Sequence, residues 1–487
     1  MWCAGWFWDG AHPPDRGTFG ELVQQLLRDR SGLPQPIAKR LLAQAADVSA
    51  RQRFFHWHLE FPEVFADGGF DAIIGNPPWD MVRGDSGAGD ARNDRRRLAR
   101  CTTGFFRGSG VYLVEPGAHA NRYQLFVERS LQLLRDGGRL GLVLPAGIFS
   151  DTGSAALRRH LFDRAHVDSI TGLGNRAGIF PIHRSVRFAL VTASAGTRTE
   201  RIASRFGLTN IDEIESPTTG MLDISRDLLC RISGRDDLGI PELLSERDLR
   251  IVERVSTCVP WLANADGWGA QFGRELNATD DGGAFRARSA QSGGRPVVEG
   301  KHLEPFHVNV GKCRLELRAD AGVSRRVPCR ARLAYREVAS ATNRLTLIAA
   351  VVPPEVVTTH TVFCLKTPLP PAHQRVLCAL LNSFVANYLI RLRVHTHVTA
   401  SLLSRLPVPC IGPDHPAFDR LDTVTQLLAR TSNVEASREY AELQAVAAHL
   451  YGLTAQDFEH ILTTFPLIAE STRRASLERF SRDGLSR

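Results

Sequence analysis

Lysine is almost missing from this 487-residue chain. Only Lys39, Lys301, Lys312 and Lys366 occur, so all but four of the 60 basic side chains are arginine. Long apolar runs are missing as well: nothing approaches the roughly 20 uninterrupted apolar residues of a membrane span. The apolar opening, Met1-Trp2-Cys3-Ala4-Gly5-Trp6-Phe7-Trp8, has no basic lead and meets Asp9 at once, so it does not read as a signal peptide and a cytoplasmic protein is expected. The nine cysteines, at 3, 101, 230, 258, 313, 329, 364, 378 and 410, are odd in number and form no Cys-x-x-Cys pair. That spacing argues against a disulfide framework and against a zinc knot. His56-Trp57-His58 offers two imidazoles without a third ligand in register, so no metal site is expected.

What remains is a globular composition, 43% hydrophobic and 23% charged, with a net charge of +8. A positive balance favours a polyanionic partner. The planar guanidinium fork suits phosphates and guanine edges. Codon usage in a GC-rich genome accounts equally well for the excess of arginine over lysine.

Along the chain, helices are expected after Thr18, with Leu22, Leu26 and Leu27 on one face, and again over 37–46. Phe70-Asp71-Ala72-Ile73-Ile74 reads as a buried strand stopped by Gly75-Asn76-Pro77-Pro78. Residues 82–110, with Arg92, Arg95, Arg96, Arg97 and Arg100, read as a mobile loop, either a solvated charge run or a phosphate-contacting flap. A helix follows from Asn121, its stripe running through Tyr123, Phe126, Val127, Leu131 and Leu134, with Gly137-Gly138 as its stop. Strands at 140–144, 167–170 and 185–191 and a helix at 153–164 complete part of an open α/β sheet. The expected organisation is a catalytic α/β domain over 1–197 and a helical linker over 198–295. An α+β domain over 296–412 and a helical tail over 413–487 follow.

The most specific chemical signal is Ile73-Ile74-Gly75-Asn76-Pro77-Pro78-Trp79. An exocyclic amine conjugated with a ring is flat, and its lone pair is poorly presented to an electrophilic carbon. Two acceptors on its two N–H groups draw the nitrogen toward tetrahedral geometry; the Asn76 side-chain oxygen is one and a backbone carbonyl of the turn, that of Pro77, is the other. Pro77 and Pro78 fix φ and hold both acceptors without an ordering cost during reaction. Trp79 offers a flat face on which an extruded base can stack. A Pro-Pro turn that merely stops a strand is the plainer reading of the same residues.

Asn-Pro-Pro-Trp resembles the amino-methyltransferase motif of S-adenosylmethionine-dependent DNA methyltransferases, where Asn at the first position implies adenine N6 rather than cytosine N4. The stretches 54–65, 121–126, 137–141, 144–145 and 178–181 resemble landmarks of large bacterial adenine methyltransferases of restriction-modification and phage-defence systems, of the TaqI/Eco57I type. So do 272–277, 299–303, 332–336, 380–383 and 406–409, and the likeness covers most of 1–412. It implies a Rossmann-like class I sheet, of which this chain holds the C-terminal part, followed by a target-recognition domain over 296–412. It also implies S-adenosylmethionine as methyl donor, double-stranded DNA as partner, and Arg332 and Arg336 as candidate DNA contacts. The two arginines could equally belong to a structural ion-pair network.

One departure is expected to matter. The family's glycine-rich cofactor loop lies upstream of its catalytic turn, and residues 1–69 contain none. Gly172-Leu173-Gly174 follows an apolar strand and is a weak substitute, so no cofactor-binding residue is assigned. The expectation is a chain that begins inside a longer parent. It then works either as a methyltransferase or as an incomplete DNA-binding piece needing an upstream half or other defence-system subunits. Glutamine methylation in protein, which also uses an Asn-Pro-Pro-aromatic turn, leaves the roughly 270 residues after the sheet without a use. No carboxylate cluster suggests a nuclease.

Overall fold

The computed structural model describes all residues except 11–12, 29, 31, 84–88, 115–119, 215–219, 290–292, 324–326, 395 and 485–487. They divide into two compact units, Met1–Ala203 with Leu208–Ile214, and Ser204–Gly207 with Glu215–Arg487. No described helix is long and apolar enough to cross a membrane.

The first unit opens with helices α1 (Trp2–Trp6), α2 (Arg16–Arg28), α3 (Gln35–Gln52), α4 (Trp57–Glu60) and α5 (Pro62–Ala66), then strand β1 (Phe70–Gly75). Next come α6 (Gly89–Gly108), α7 (Arg122–Leu133) and β2 (Leu134–Pro145). After these follow α8 (Gly147–Ser150), α9 (Ala155–Arg164), β3 (Ala165–Gly174), β4 (Arg187–Ala195) and β5 (Arg201–Leu208), at which the chain passes from one unit to the other. β1 runs parallel to β2, and β4 is antiparallel to both β2 and β3. β2 and β3 therefore point the same way, with one slot between them that β4 fills. The result is a mixed sheet in an α/β unit. Helices α7 and α9 make the long crossovers that parallel strands require.

Local chemistry explains these boundaries. Asn121 caps α7 in a capping box with Gln124. The helix ends at Leu133, earlier than its apolar stripe suggested, and Gly137-Gly138 lie inside β2 rather than at a helix stop. There the register jumps, Phe70 facing Leu134 while Ala72 faces Arg139. Gly137 supplies the positive φ of 76° that this excursion needs.

Residues 89–108, expected within a loop, form α6. Arginine and alanine are good helix formers, and the helix has an apolar face to bury: α1 packs there, with Trp2, Trp6 and Phe7 around Phe105 at 5.7, 6.2 and 6.2 Å between ring centroids. Asp9 ties the same region together through ion pairs with Arg51 and Arg97.

The second unit begins with β6 (Leu222–Ser225) and carries β7 (Phe272–Gly273), β8 (Phe285–Ala287) and β9 (Arg295–Val298). A hairpin of β10 (Leu303–Glu304) and β11 (His307–Val308) precedes β12 (Leu315–Leu317) and β13 (Arg332–Arg336), then β14 (Ala349–Val352), β15 (Val357–Thr358) and β16 (Val362–Leu365). Two four-stranded sheets result, in the orders β15-β9-β12-β8 and β14-β13-β16-β7. The helix Phe384–Arg391 is almost wholly buried, and Pro371–Leu381 is buried from Val376 onward. Asn382 and Asn387 stitch them to the chain beside them: Asn382 accepts from the Ala349 amide at 3.0 Å, and Asn387 accepts from those of Thr346 and Leu347, each at 2.9 Å. Helices Pro416–Leu428, Arg438–Leu450, Ala455–Thr463 and Glu470–Gly484 close the chain. The segments 215–295, 296–412 and 413–487 thus lie together in one compact unit.

Candidate functional site

Asn76 sits at the carboxyl end of β1, where open α/β sheets place their ligands. It is exposed, and its side-chain amide makes no hydrogen bond among the described residues. Pro77 behind it is buried and Pro78 exposed. The turn is held from both ends. Upstream, the 54–65 stretch folds into an aromatic cluster around Phe70 at the start of β1, with Trp57, Phe61 and Phe65 at 5.5, 5.5 and 5.6 Å. His58 stacks on Phe65 at 3.9 Å, which is packing rather than ligation.

Downstream, Trp79 is half-buried among Phe180 and Phe188 at 5.7 and 6.1 Å, and its indole N–H donates to the Val143 carbonyl of β2 at 3.3 Å. Asn121 adds a clamp that the sequence reading did not assign. Its side-chain NH2 donates to the Trp79 carbonyl at 2.8 Å while its Oδ1 caps α7, and the Arg122 amide donates to the Asp80 carbonyl at 3.0 Å. Gln124 and Tyr123 each reach Ser154 Oγ at 3.0 Å, carrying the support into the next crossover. A polar residue that can cap a helix and still donate from its amide is the signal that could have marked Asn121.

A cavity of about 880 Å³ opens beside β1, lined by Asn76, Pro77 and Pro78 and by aromatic side chains including Phe55, Trp57, Phe105 and Tyr112. Burial raises the Tyr112 phenol above its usual range. Among the described residues no carboxylate lines this cavity. A second cavity, about 720 Å³, is lined by Asp80, Met81, Val82, Arg83, Arg95 and Arg122. Gly172 and Gly174, the weak substitute for a cofactor loop, are paired with Ala189 and Arg187 inside β3 and β4 and cannot wrap a ligand. S-adenosylmethionine presents a ribose diol and an ammonium that call for acceptors, and neither Gly172-Gly174 nor the larger cavity supplies a glycine-rich turn with an acidic partner. The larger cavity as described is therefore not a complete site for it. Among the described residues no His, Cys, Asp and Glu group could hold a metal ion.

Arg332, expected as a candidate DNA contact, is 2% exposed and makes a bidentate pair with Glu275, itself 1% exposed. Its Nη2 also donates to the Val356 carbonyl at 3.1 Å. A guanidinium enclosed in this way has no surface to offer a duplex, and the ion-pair reading is the one its surroundings support. Arg336 lies four residues along the same strand, half-buried, its pKa lowered by burial.

Residues 21–180 match the family model of the Eco57I restriction-modification methylases. That segment, about a third of the chain, is similar to restriction-modification methylases. No curated protein sequence matches the chain. Among solved structures it is similar to the type IIL restriction-modification enzyme MmeI in complex with DNA, at 13% identity and TM-score 0.48 over 83% of this chain and 57% of that one. It is also similar to a nuclease-deletion mutant of the type ISP enzyme LlaGI with a DNA substrate mimic, at 11% identity and TM-score 0.43 over 82% and 37%. The DNA-bound type ISP enzyme LlaBIII is similar at 11% identity and TM-score 0.40 over 76% and 30%. The chain thus spans less than two thirds of each of these proteins. The matched segment contains β1, the Asn76 turn and Asn121.

Proposed function

We propose that the chain carries the base-handling side of a site-specific DNA adenine-N6 methyltransferase of a restriction-modification or phage-defence system. The observation that carries this reading is Asn76: an exposed amide, free of hydrogen bonds among the described residues, on a Pro-Pro turn braced by Trp79 and Asn121. An adenine extruded from the duplex meets this turn. Asn76 Oδ1 accepts one N6–H and the Pro77 carbonyl the other, which turns the lone pair toward the methyl donor. The part of the Trp79 indole left exposed is the surface for the extruded base, and its buried part holds the turn against β2. The family implies S-adenosylmethionine as donor. The second unit, with its two small sheets, is the candidate for DNA target recognition. Asn76→Ala should abolish methyl incorporation into DNA while leaving duplex affinity within about twofold; undiminished incorporation would refute the assigned role.

A second reading, in which a further polypeptide segment completes the cofactor site, is favoured by the free side of β1. Ile74 is 88% exposed, although parallel strands are ordinarily covered on both faces. Phe55, Leu59 and Phe126 are exposed near the same cavity. Equilibrium binding of S-adenosylmethionine to the 487-residue chain separates the two: binding by the chain alone supports the complete enzyme, and DNA binding without cofactor binding supports the second reading.

A further inference from the structure

Helix α6 follows the Asn76 turn and carries an arginine row that the site described above does not use. At about 100° per residue, Arg92, Arg96, Arg100 and Arg107 fall within an arc of about 80°, and at 1.5 Å rise they span about 22 Å. All four are exposed, and none makes an ion pair or hydrogen bond among the described residues. By the same spacing no acidic residue falls on this arc, and Asp94 points away from it. The helix's other two arginines lie off the arc: Arg97 pairs with Asp9 and the Trp8 carbonyl, and Arg95 turns toward a neighbouring cavity.

The opposite face is locked. Phe105 packs on α1, and a Cβ at Gly108 would stand 2.6 Å from the Trp6 ring, so α1 lies directly against the helix, while Phe106 is buried on the flank. The row is therefore presented outward by a braced helix. A helix face exposed only to solvent commonly alternates charge in i,i+4 pairs, whereas this one carries a single sign. Arg95, Leu98 and Ala99 of the same helix line the cavity that also contains Asp80 and Met81, which places α6 beside the turn.

We infer that the outer face of α6 is a DNA-backbone contact flanking the extruded base. The inference rests on the DNA methyltransferase reading and names how that site grips its substrate. A duplex carries one negative charge per ~1.7 Å of axis, so a row of this length faces on the order of a dozen phosphates.

The test uses the full chain and a fluorescein-labelled 30-base-pair duplex, with Kd measured between 50 and 200 mM salt. The fourfold variant Arg92→Gln, Arg96→Gln, Arg100→Gln and Arg107→Gln should lower the slope of log K against log salt by about 3.6, from 0.9 per phosphate contact. Its melting temperature should match that of the wild type. The control variant Arg28→Gln, Arg30→Gln, Lys39→Gln and Arg40→Gln removes the same charge from exposed positions of the first unit and should leave the slope within about 1 of wild type. An unchanged slope in the α6 variant, or an equal loss in the control, overturns the inference. Slope loss confined to the α6 variant, in a chain that transfers no methyl group under any condition, upholds the contact and overturns the methyltransferase reading. A wild-type chain that does not bind duplex DNA overturns both.

Discussion

Removing Arg332 tests the buried ion pair most directly. Glu275 accepts from Arg332 Nε and Nη2 and from the Thr358 amide and hydroxyl, at 3.1 and 2.8 Å for the latter two. Burial alone would raise the Glu275 carboxyl; its bonds from Arg332 and Thr358 outweigh this and hold it below the usual carboxylate range. In Arg332→Ala the anion keeps two neutral donors and loses its countercharge, which costs about 3–5 kcal/mol. At 1.4 kcal/mol per tenfold, exchange of the amides of β13 and β16 that open with this region should speed up by about two to three and a half orders of magnitude. Replacing Glu275 by Gln in the same background removes the stranded charge and should recover much of the loss. The pair also has a pH signature. Its folded-state pKa is depressed, so its contribution is complete above the unfolded value of about 4.3 and is lost as pH falls through the folded one. Hydrogen exchange read by mass spectrometry, with duplex affinity measured in parallel, is the assay. Unchanged exchange in Arg332→Ala together with DNA binding weakened more than tenfold would sink the structural assignment and restore a DNA contact.

Two further outcomes are expected. Asn121→Asp keeps a good helix cap but cannot donate to the Trp79 carbonyl; exchange at amides 76–82 should rise, at a cost of about 1 kcal/mol, with α7 intact. Asn121→Ala should add about 1 kcal/mol for the lost cap, and equal effects of the two variants would disprove the clamp. Asp248 accepts from Tyr388 at 2.5 Å, His460 at 2.8 Å and Ser245 at 2.9 Å, bonds that outweigh burial and depress its pKa. Asp248→Asn should destabilise by about 1–3 kcal/mol near neutral pH, and the deficit should shrink below about pH 3.9 as the wild-type carboxylate is protonated. A deficit independent of pH would contradict it.

The turn at Asn76 was legible in the sequence because its signals are local. A β-branched run and two consecutive prolines dictate strand and rigid turn within a few residues of each other, and Asn121 sets its helix start just as locally. The helix within the loop expected over 82–110 was not legible, because arginine clusters favour solvent and helix alike; α1, packing Trp2, Trp6 and Phe7 against Phe105 across some hundred residues of chain, decided for helix.

The residue types of the site, the order of its strands along the chain and the sign of its charge belong to the sequence by itself. Burial does not, since it depends on what a side chain packs against. Arg332 and Arg92 are the same residue with opposite surroundings, one paired with Glu275 inside a sheet and the other on the open face of α6. Ile74 reads as core in a buried strand and yet stands exposed, because no described segment of the first unit covers that side of β1. Tertiary packing alone separated a guanidinium that holds the fold from one free to meet a phosphate.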